Sequence, residues 1–289
     1  MHGPVTQRQA VAADALGTRE WARITIYPEF DQLEHLHASF ERHVYAPHSH
    51  DTYAFGVIER GVELFTCAGT SFAFGPGQVT IINPDQLHDG RPGTEGYVYR
   101  MLYPSRRLMA RIYEDVTERS GESPHFHRQV LDDSALAAQC AALHRALDLC
   151  GEPIACESAM VTTLSNLILR HADGRPRPAP VGREARAARR IGERLVEQLD
   201  QDLSLDSLAA EIGMSRFRLI RIFHRETGMT PHVFRMSRRV ARAKALMAAG
   251  LAPAETAVAC GFHDQPHLTR VFRAFTGITP GAFRRACAG

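Results

Sequence analysis

The chain has 289 residues, of which 44% are apolar and 23% charged, and its formal net charge is +2. This balance is that of a globular protein with room for two domains, and it excludes an intrinsically disordered or membrane-embedded chain. No stretch reaches the roughly 20 apolar residues of a membrane span, and the N-terminus lacks the apolar core of a signal peptide, so we expect a cytoplasmic protein.

The cysteine spacing indicates neither a metal centre nor a disulfide framework. No CxxC pair occurs, and the cytoplasm is reducing, so we expect buried thiols, with a redox sensor as the alternative. The cysteines are Cys67, Cys140, Cys150, Cys156, Cys260 and Cys287.

Residues 22–103 contain aromatic and β-branched runs separated by glycine and proline, which predicts the short strands of a β-barrel or sandwich. The clearest runs are residues 53–58, 62–65, 71–74 and 79–82. Apolar residues then recur at helical spacing over residues 134–171, which predicts two helices.

Residues 174–182 are rich in proline and glycine, cannot continue a helix, and are typical of a semi-extended linker. We therefore expect an N-terminal domain at 1–173, a linker at 174–184 and a C-terminal domain at 185–289. The charge divides at the same place: residues 184–289 carry 17 Lys and Arg against 10 Asp and Glu, whereas residues 1–183 carry 17 against 22. Only the C-terminal part is suited to a polyanion.

The C-terminal part contains an internal repeat. At an offset of 49 residues, nine of 18 positions in segment 218–235 are identical to those in segment 267–284. Each copy places apolar residues on one helical face, and Thr-Gly-x-Thr-Pro then ends that helix and starts another. A short amphipathic segment and a glycine turn precede each copy, so we predict two helix-turn-helix units at about 205–227 and 253–276.

Between the two units, residues 231–248 are predicted to form one helix, about 27 Å long at 1.5 Å per residue. Such a rigid spacer suits two recognition helices that enter successive major grooves, about 34 Å apart. Its arginines Arg238, Arg239 and Arg242 could contact phosphate, be solvated or pair within the protein. The duplicated units and the moderate charge disfavour a nucleoid protein that binds DNA by charge alone.

Residues 190–286 resemble the DNA-binding domain of the AraC/XylS family of bacterial transcription regulators. The resemblance rests on the two units, on segment 257–265 (Ala-Val-Ala-Cys-Gly-Phe-His-Asp-Gln) and on the closing segment 272–284. It implies a sequence-specific regulator, an activator as is commoner in that family, that binds double-stranded DNA, works with RNA polymerase and forms a homodimer.

The resemblance also implies which side chains meet DNA, because the second helix of each unit enters the major groove. Arg221 and Arg270 occupy equivalent repeat positions, where an arginine can bind guanine bidentately, and Gln265 could read adenine. Ser215 and Thr230 are expected to cap helices and to offer main-chain amides to phosphate. An arginine on a helix could also be merely solvated, and an aromatic side chain could cover the core. The residues expected to contact DNA are Arg216, Phe217, Arg218, Arg221, Gln265, His267 and Arg270.

In the N-terminal part, segments 43–50 and 75–88 resemble a cupin barrel, a sensor commonly joined to AraC-type DNA-binding domains. The first segment contains His-x-His and the second ends in Pro-x-x-x-His. Residues i and i+2 of a strand share a face, so His48 and His50 are predicted to point into the barrel, where His88 joins them. Three imidazoles would suit Zn or Fe.

Metal-dependent cupins also carry a glutamate shortly after His-x-His, whereas this chain has apolar and aromatic residues there, and Glu59 and Glu63 are spaced too far on. We therefore expect no metal or other cofactor and no enzymatic activity, although three ligands can hold an open site. Instead we predict a small-molecule effector pocket, with simple hydrogen bonding at the barrel mouth as the alternative. The predicted pocket residues are His48, His50, Tyr53, Phe55, His88 and Tyr99.

The sequence thus predicts an α+β multidomain protein. An N-terminal cupin-like β-barrel with added helices binds the effector and dimerises, and an all-α C-terminal domain with two helix-turn-helix units binds DNA. The leading hypothesis is an effector-responsive transcription regulator, and the alternative is a metal-binding cupin enzyme with an accessory DNA-binding domain.

Overall fold

The structure is a computed structural model that describes residues 19–149, 153–174, 176, 184–201 and 203–287. Most of the predicted linker at 174–184 lies outside these residues, as does Cys150. Contacts between Cα atoms divide the chain into two compact units. The first consists of residues 1–151 and 159–179, and the second of residues 152–158 and 180–289.

The first unit is built on one antiparallel sheet. Its hydrogen-bonded order is β1-β2-β7-β4-β6-β8, with β3 pairing to β7 and β5 pairing to β4. The strands of the described residues are β1 (Trp21–Tyr27), β2 (Leu33–Phe40), β3 (Tyr45–His48), β4 (Ala54–Cys67), β5 (Thr70–Phe74), β6 (Val79–Ile82), β7 (His88–Tyr103) and β8 (Val130–Leu131). The predicted cupin-like sheet domain is confirmed.

The two runs predicted at 53–58 and 62–65 belong to one 14-residue strand, β4. The register of β4 against β7 shifts near Gly61, as in a β-bulge, and Gly61 has a φ of 78°. A Cβ atom at this position would lie 2.0 Å from the carbonyl oxygen of Gly96. Only glycine therefore fits this bulge. The glycine that separates the two predicted strands marks a bend within one strand, not a turn between two.

The core of the first unit lies on the inner face of this sheet. Leu36, Phe40 and Phe74 are fully buried, and they pack with a layer of tyrosines that includes Tyr97 and Tyr99. The helices of this part are α1 (Arg106–Thr117), α2 (Ser134–Leu149) and α3 (Pro153–His171), of which residues up to Ser158 are grouped with the second unit. The last two are the pair predicted for residues 134–171.

The remaining described helices belong to the second unit. They are α4 (Glu184–Glu197), α5 (Leu205–Ile212), α6 (Arg216–Thr227), α7 (Pro231–Ala248), α8 (Pro253–Ala259), α9 (Gln265–Thr276) and α10 (Pro280–Cys287). Helices α5 and α6 form the first helix-turn-helix, α8 and α9 form the second, and α7 is the predicted 18-residue spacer. Gly228 and Gly277 end α6 and α9 in the left-handed conformation, with φ of 72° and 79°, as the repeat predicted.

Four of the cysteines are buried, as expected, but Cys287 is exposed because it ends the short helix α10 on the surface. Among the described residues, no helix is long and apolar enough to cross a membrane.

Candidate functional site

The first candidate site is a small cavity inside the sheet of the N-terminal unit, with a volume of about 40 Å³. His48 ends β3, His88 begins β7, and His50 follows β3 by two residues. All three imidazoles line the cavity, together with Tyr99. The structure therefore brings together four of the six side chains that the sequence placed in the pocket.

The three histidines form a compact cluster. The ring centroid of His88 lies 4.4 Å from that of His48 and 4.9 Å from that of His50. One ring nitrogen of each residue lies within 4.8 Å of the corresponding nitrogens of the other two. Pairing of β3 with β7 in the register His48↔His88 accounts for this approach of residues 40 positions apart.

The main chain orients each of these rings. In His48, His50 and His88, Nδ1 lies 2.8, 3.0 and 2.8 Å from the carbonyl oxygen of a residue two positions away. A carbonyl only accepts, so the proton resides on Nδ1 and the lone pair on Nε2. The Nε2 atoms of His48 and His50 are buried, and neither has a hydrogen-bond partner in the described part of the chain.

Burial disfavours the charged form of two of these histidines. Burial and the neighbouring His50 lower the pKa of His88 to about 3, and burial also lowers the pKa of His50. Burial has the opposite effect on Glu63, whose pKa rises to about 8, and its Oε1 accepts a hydrogen bond from the hydroxyl of Tyr97 at 3.3 Å. Near pH 7 the cavity therefore presents uncharged imidazoles at His50 and His88 and an uncharged carboxylic acid at Glu63.

Two of the predicted pocket residues lie elsewhere. Ala54 faces the cavity, so the alternation of β4 turns Phe55 to the opposite side of the sheet, where it is fully buried. Tyr53 precedes β4, and its hydroxyl donates to the carbonyl oxygen of Pro124 at 2.6 Å. The prediction that Tyr53 and Phe55 line the pocket is therefore wrong.

Sequence reasoning also missed several lining residues, among them Tyr45, Glu63, Asp89 and Tyr103. Glu63 was set aside because of its distance along the chain from His-x-His. It shares one face of β4 with Phe65 and Cys67, and Cys67 pairs in register with His88. Period-two alternation could have found this face if the pairing of β4 with β7 had been known.

The second candidate site is the pair of recognition helices in the C-terminal unit. Ser215 caps α6, its Oγ accepting from the main-chain nitrogen of Arg218 at 3.1 Å. Asp264 caps α9 in the same way, with Oδ1 accepting from the main-chain nitrogen of His267 at 2.6 Å. Thr230 caps the spacer helix α7 through a 3.3 Å bond from Val233. These caps fix where each helix starts.

The turn of the second helix-turn-helix depends on one glycine. Gly261 has a φ of 73°, and a Cβ atom there would lie 2.7 Å from the Cα of Asp200. The neighbouring Arg239 is buried, and its Nε donates to the carbonyl oxygen of Leu199 at 2.7 Å. Arg239 therefore pairs within the protein, whereas Arg238 and Arg242 of the same helix are exposed.

In the second helix-turn-helix, most of the side chains predicted to meet DNA are exposed. Gln265 at the start of α9 and Arg270 in its middle are exposed, whereas His267 is half-buried, with its ring edge-on to Phe262 at 5.4 Å. In the first helix-turn-helix, by contrast, Phe217 is only 3% exposed. Its ring belongs to the interior, so the prediction that Phe217 contacts DNA is wrong.

The arginines of α6 are also more covered than those of α9. Arg216 and Arg218 are half-buried, and one guanidinium nitrogen of Arg216 lies 3.3 Å from a carboxylate oxygen of Asp206. The three guanidinium nitrogens of Arg221 are buried. Periodicity placed these side chains on the outward face of α6, but it could not predict what covers that face.

Comparison with protein families matches both sites. Residues 32–164 match the AraC-like ligand-binding domain, and residues 208–286 match a helix-turn-helix domain. Together these two matches cover most of the chain.

Three relatives illustrate the similarity. The chain is 28% identical to the uncharacterised HTH-type transcriptional regulator YbfI of Bacillus subtilis, over 76% of this chain and 80% of that one. It is 24% identical to the arabinose operon regulatory protein of Escherichia coli, over 81% of each chain. It is 35% identical to the HTH-type transcriptional regulator RipA of Corynebacterium glutamicum, over 37% of this chain and 31% of that one.

These findings agree. The chain contains an AraC-like ligand-binding domain and two helix-turn-helix units, and it is similar along most of its length to proteins named as regulators. The protein is an AraC-type transcription regulator, with an N-terminal ligand-binding domain and a C-terminal helix-turn-helix DNA-binding domain.

Proposed function

We propose that the protein activates transcription from an asymmetric DNA site, which one protomer reads with α6 and α9 in adjacent major grooves. The observation that carries this proposal is the duplicated unit joined by the continuous 18-residue helix α7. A helix of that length, about 27 Å, fixes the register between the two units in a way that a flexible linker does not.

The proposed base contacts differ between the two units, which is why the site is asymmetric. Helix α9 presents Gln265 and Arg270, suited to adenine and guanine respectively, and His267 beside them. Helix α6 carries the half-buried Arg216 and Arg218, and Arg221, whose buried guanidinium would have to turn outward to reach a base. Ser215 and Thr230 act by positioning helix N-termini, whose amides can bind phosphate.

Selection from a random duplex library tests this reading. We expect the full chain to select one non-palindromic motif, and Arg270→Ala to relax the preference at a single base pair and to cost about 1–3 kcal/mol. Arg189→Ala is the matched control, because Arg189 is an exposed arginine of the same unit outside both recognition helices. Equal selectivity of the parent and Arg270→Ala would refute the contact assignment.

We further propose that the cavity of the N-terminal unit holds the effector, through His48, His50, His88 and Tyr99. Its support is the arrangement of buried polar groups around a cavity within the region that matches a ligand-binding domain. An effector acts only if it binds two states of the regulator unequally, so DNA affinity must change when it binds. A footprint that is identical with and without every bound ligand would contradict this.

We propose a homodimer, formed through α2 and α3, that acts in the cytoplasm and contacts RNA polymerase. Sedimentation of the full chain at micromolar concentration tests the dimer, and a monomer with and without DNA would exclude it. We also propose that the barrel is a sensor and has no catalytic role, since the similar proteins are named as regulators.

A further inference from the structure

We propose that the cavity binds a divalent first-row transition metal ion, held by Nε2 of His48, His50 and His88. The proposal deepens the effector pocket proposed above, because it names the chemical class of the ligand. It arises from the geometry of the cavity and its three rings.

The hydrogen bonds of the three histidines already leave one ring nitrogen of each able to bind a metal ion. All three Nδ1 atoms are engaged by main-chain carbonyls, which leaves three Nε2 lone pairs. Two of these Nε2 atoms are buried without a hydrogen-bond partner among the described residues. A buried lone pair without a partner is unfavourable, and coordination to a metal ion would remove that cost.

The second argument is the orientation of the rings. Metal-binding histidines generally donate their other ring nitrogen to a carbonyl or carboxylate, which fixes both the tautomer and the direction of the lone pair. Here the same bond recurs in three residues from two separate segments of the chain. One ordinary surface histidine can adopt this bond by chance, but three that converge on one cavity indicate a metal site.

The size of the cavity selects the class of ligand. At about 40 Å³ it has room for an ion and one or two waters, since one water needs a cavity of roughly 10–15 Å³. Organic ligands usually occupy pockets of roughly 300–1,000 Å³. Neutral imidazoles favour zinc, iron, nickel or copper over calcium or magnesium, which prefer oxygen ligands.

Binding requires only a small closure of the rings. Tetrahedral ligands about 2.0–2.1 Å from zinc lie roughly 3.4 Å from one another. The ring nitrogens lie within 4.8 Å of one another, so the farthest pair must approach by at most about 1.4 Å. The fourth position would remain open to water or to a small anionic ligand.

The test uses the full chain, stripped of metal with a chelator and then titrated with Zn²⁺ alone. We expect one ion per chain by elemental analysis after dialysis, and a higher melting temperature with Zn²⁺. Replacing Zn²⁺ by Co²⁺ should give the intense visible bands of a four-coordinate nitrogen site. A stoichiometry far below one, or only the pale spectrum of six-coordinate cobalt, would overturn the proposal.

Single variants locate the site. His48→Gln, His50→Gln and His88→Gln should each weaken binding by at least the roughly 10–100-fold that loss of an outer-shell partner costs. His43→Gln is the matched control, because His43 also has a buried Nε2 without a partner among the described residues but lies outside the cluster. Equal losses in the control and the three variants, or none in any, would place the metal elsewhere.

Two features keep the outcome decisive. Melting curves identify any variant that does not fold, and the cobalt spectrum of the parent chain decides the question without a variant. Footprinting by the metal-free chain reports separately on DNA binding, so failure of the metal site and failure of the proposed regulatory function are distinguishable.

Discussion

The two helix-turn-helix units share their framework and differ in their surfaces. Phe223 and Phe272 are equivalent and both fully buried, and Ser215 and Asp264 are equivalent N-caps. Two positions after these caps, however, Phe217 is buried where Pro266 is exposed, and further along Arg221 has buried guanidinium nitrogens where Arg270 is exposed. Duplication therefore preserves the residues that fold each helix-turn-helix, whereas the surface proposed to meet DNA diverges.

The largest expected effect tests the shared framework. Phe223→Ala and Phe272→Ala each remove a fully buried ring, and we expect each to lower the free energy of unfolding by about 3–5 kcal/mol. Phe275→Ala is the control, because the Phe275 ring, in the second helix-turn-helix, is 45% exposed. Chemical denaturation measures all three. A much smaller loss in one unit than in the other would show that the cores are not equivalent.

The next effect tests how the surfaces differ. Arg221→Ala and Arg270→Ala should each weaken specific DNA binding by about 1–3 kcal/mol, or roughly 5- to 150-fold. Only Arg221→Ala should also lower the free energy of unfolding, because its guanidinium is buried, whereas an exposed substitution changes stability by about 0.5 kcal/mol or less. Fluorescence anisotropy with labelled duplex and denaturant titration separate the two quantities.

A smaller effect concerns the N-caps. Ser215→Ala should cost about 1 kcal/mol of unfolding free energy, because it leaves the main-chain nitrogen of Arg218 without its acceptor. Asp264→Ala should destabilise for the same reason, and Asp264→Ser should restore much of the loss. If Asp264→Ser were as unstable as Asp264→Ala, the cap would not be the cause.

The smallest effect is a difference in pH dependence between the caps. Hydrogen bonds from His267 and His263 lower the pKa of Asp264, whereas the hydroxyl of Ser215 does not titrate. A lowered folded-state pKa contributes stability above the ordinary value of 3.8, and this is lost as pH falls through the folded-state pKa. The difference in stability between the parent and Asp264→Ser should therefore shrink below about pH 4. A difference independent of pH would contradict it.

The sequence predicted the helical framework well because its signals are local. Thr-Gly-x-Thr-Pro carries both a left-handed stop and a capped start, so the ends of α6 and α9 follow from a few neighbouring residues. The spacing of His48 and His50 likewise placed both rings beside one cavity. Pairing of strands then brought His88 to them, as the sequence anticipated.

The failures arose where distant segments meet. Glu63 reaches the cavity only because β4 pairs with β7 past the bulge at Gly61, and Phe217 is buried by residues that helical periodicity does not identify. Tyr53 and Phe55 were assigned to the pocket from their nearness in sequence to His50, whereas strand alternation directs them away. Such contacts follow from tertiary pairing, which a single sequence does not specify.

The most direct test of the central claim is a hydroxyl-radical footprint of the full chain on the DNA upstream of its own coding sequence. Two recognition helices joined by the rigid helix α7 predict that each protomer protects two patches on one face of the duplex, about one helical turn apart. Arg270→Ala should weaken one patch of the pair more than the other. A single patch per protomer, or two that weaken equally, would contradict the account.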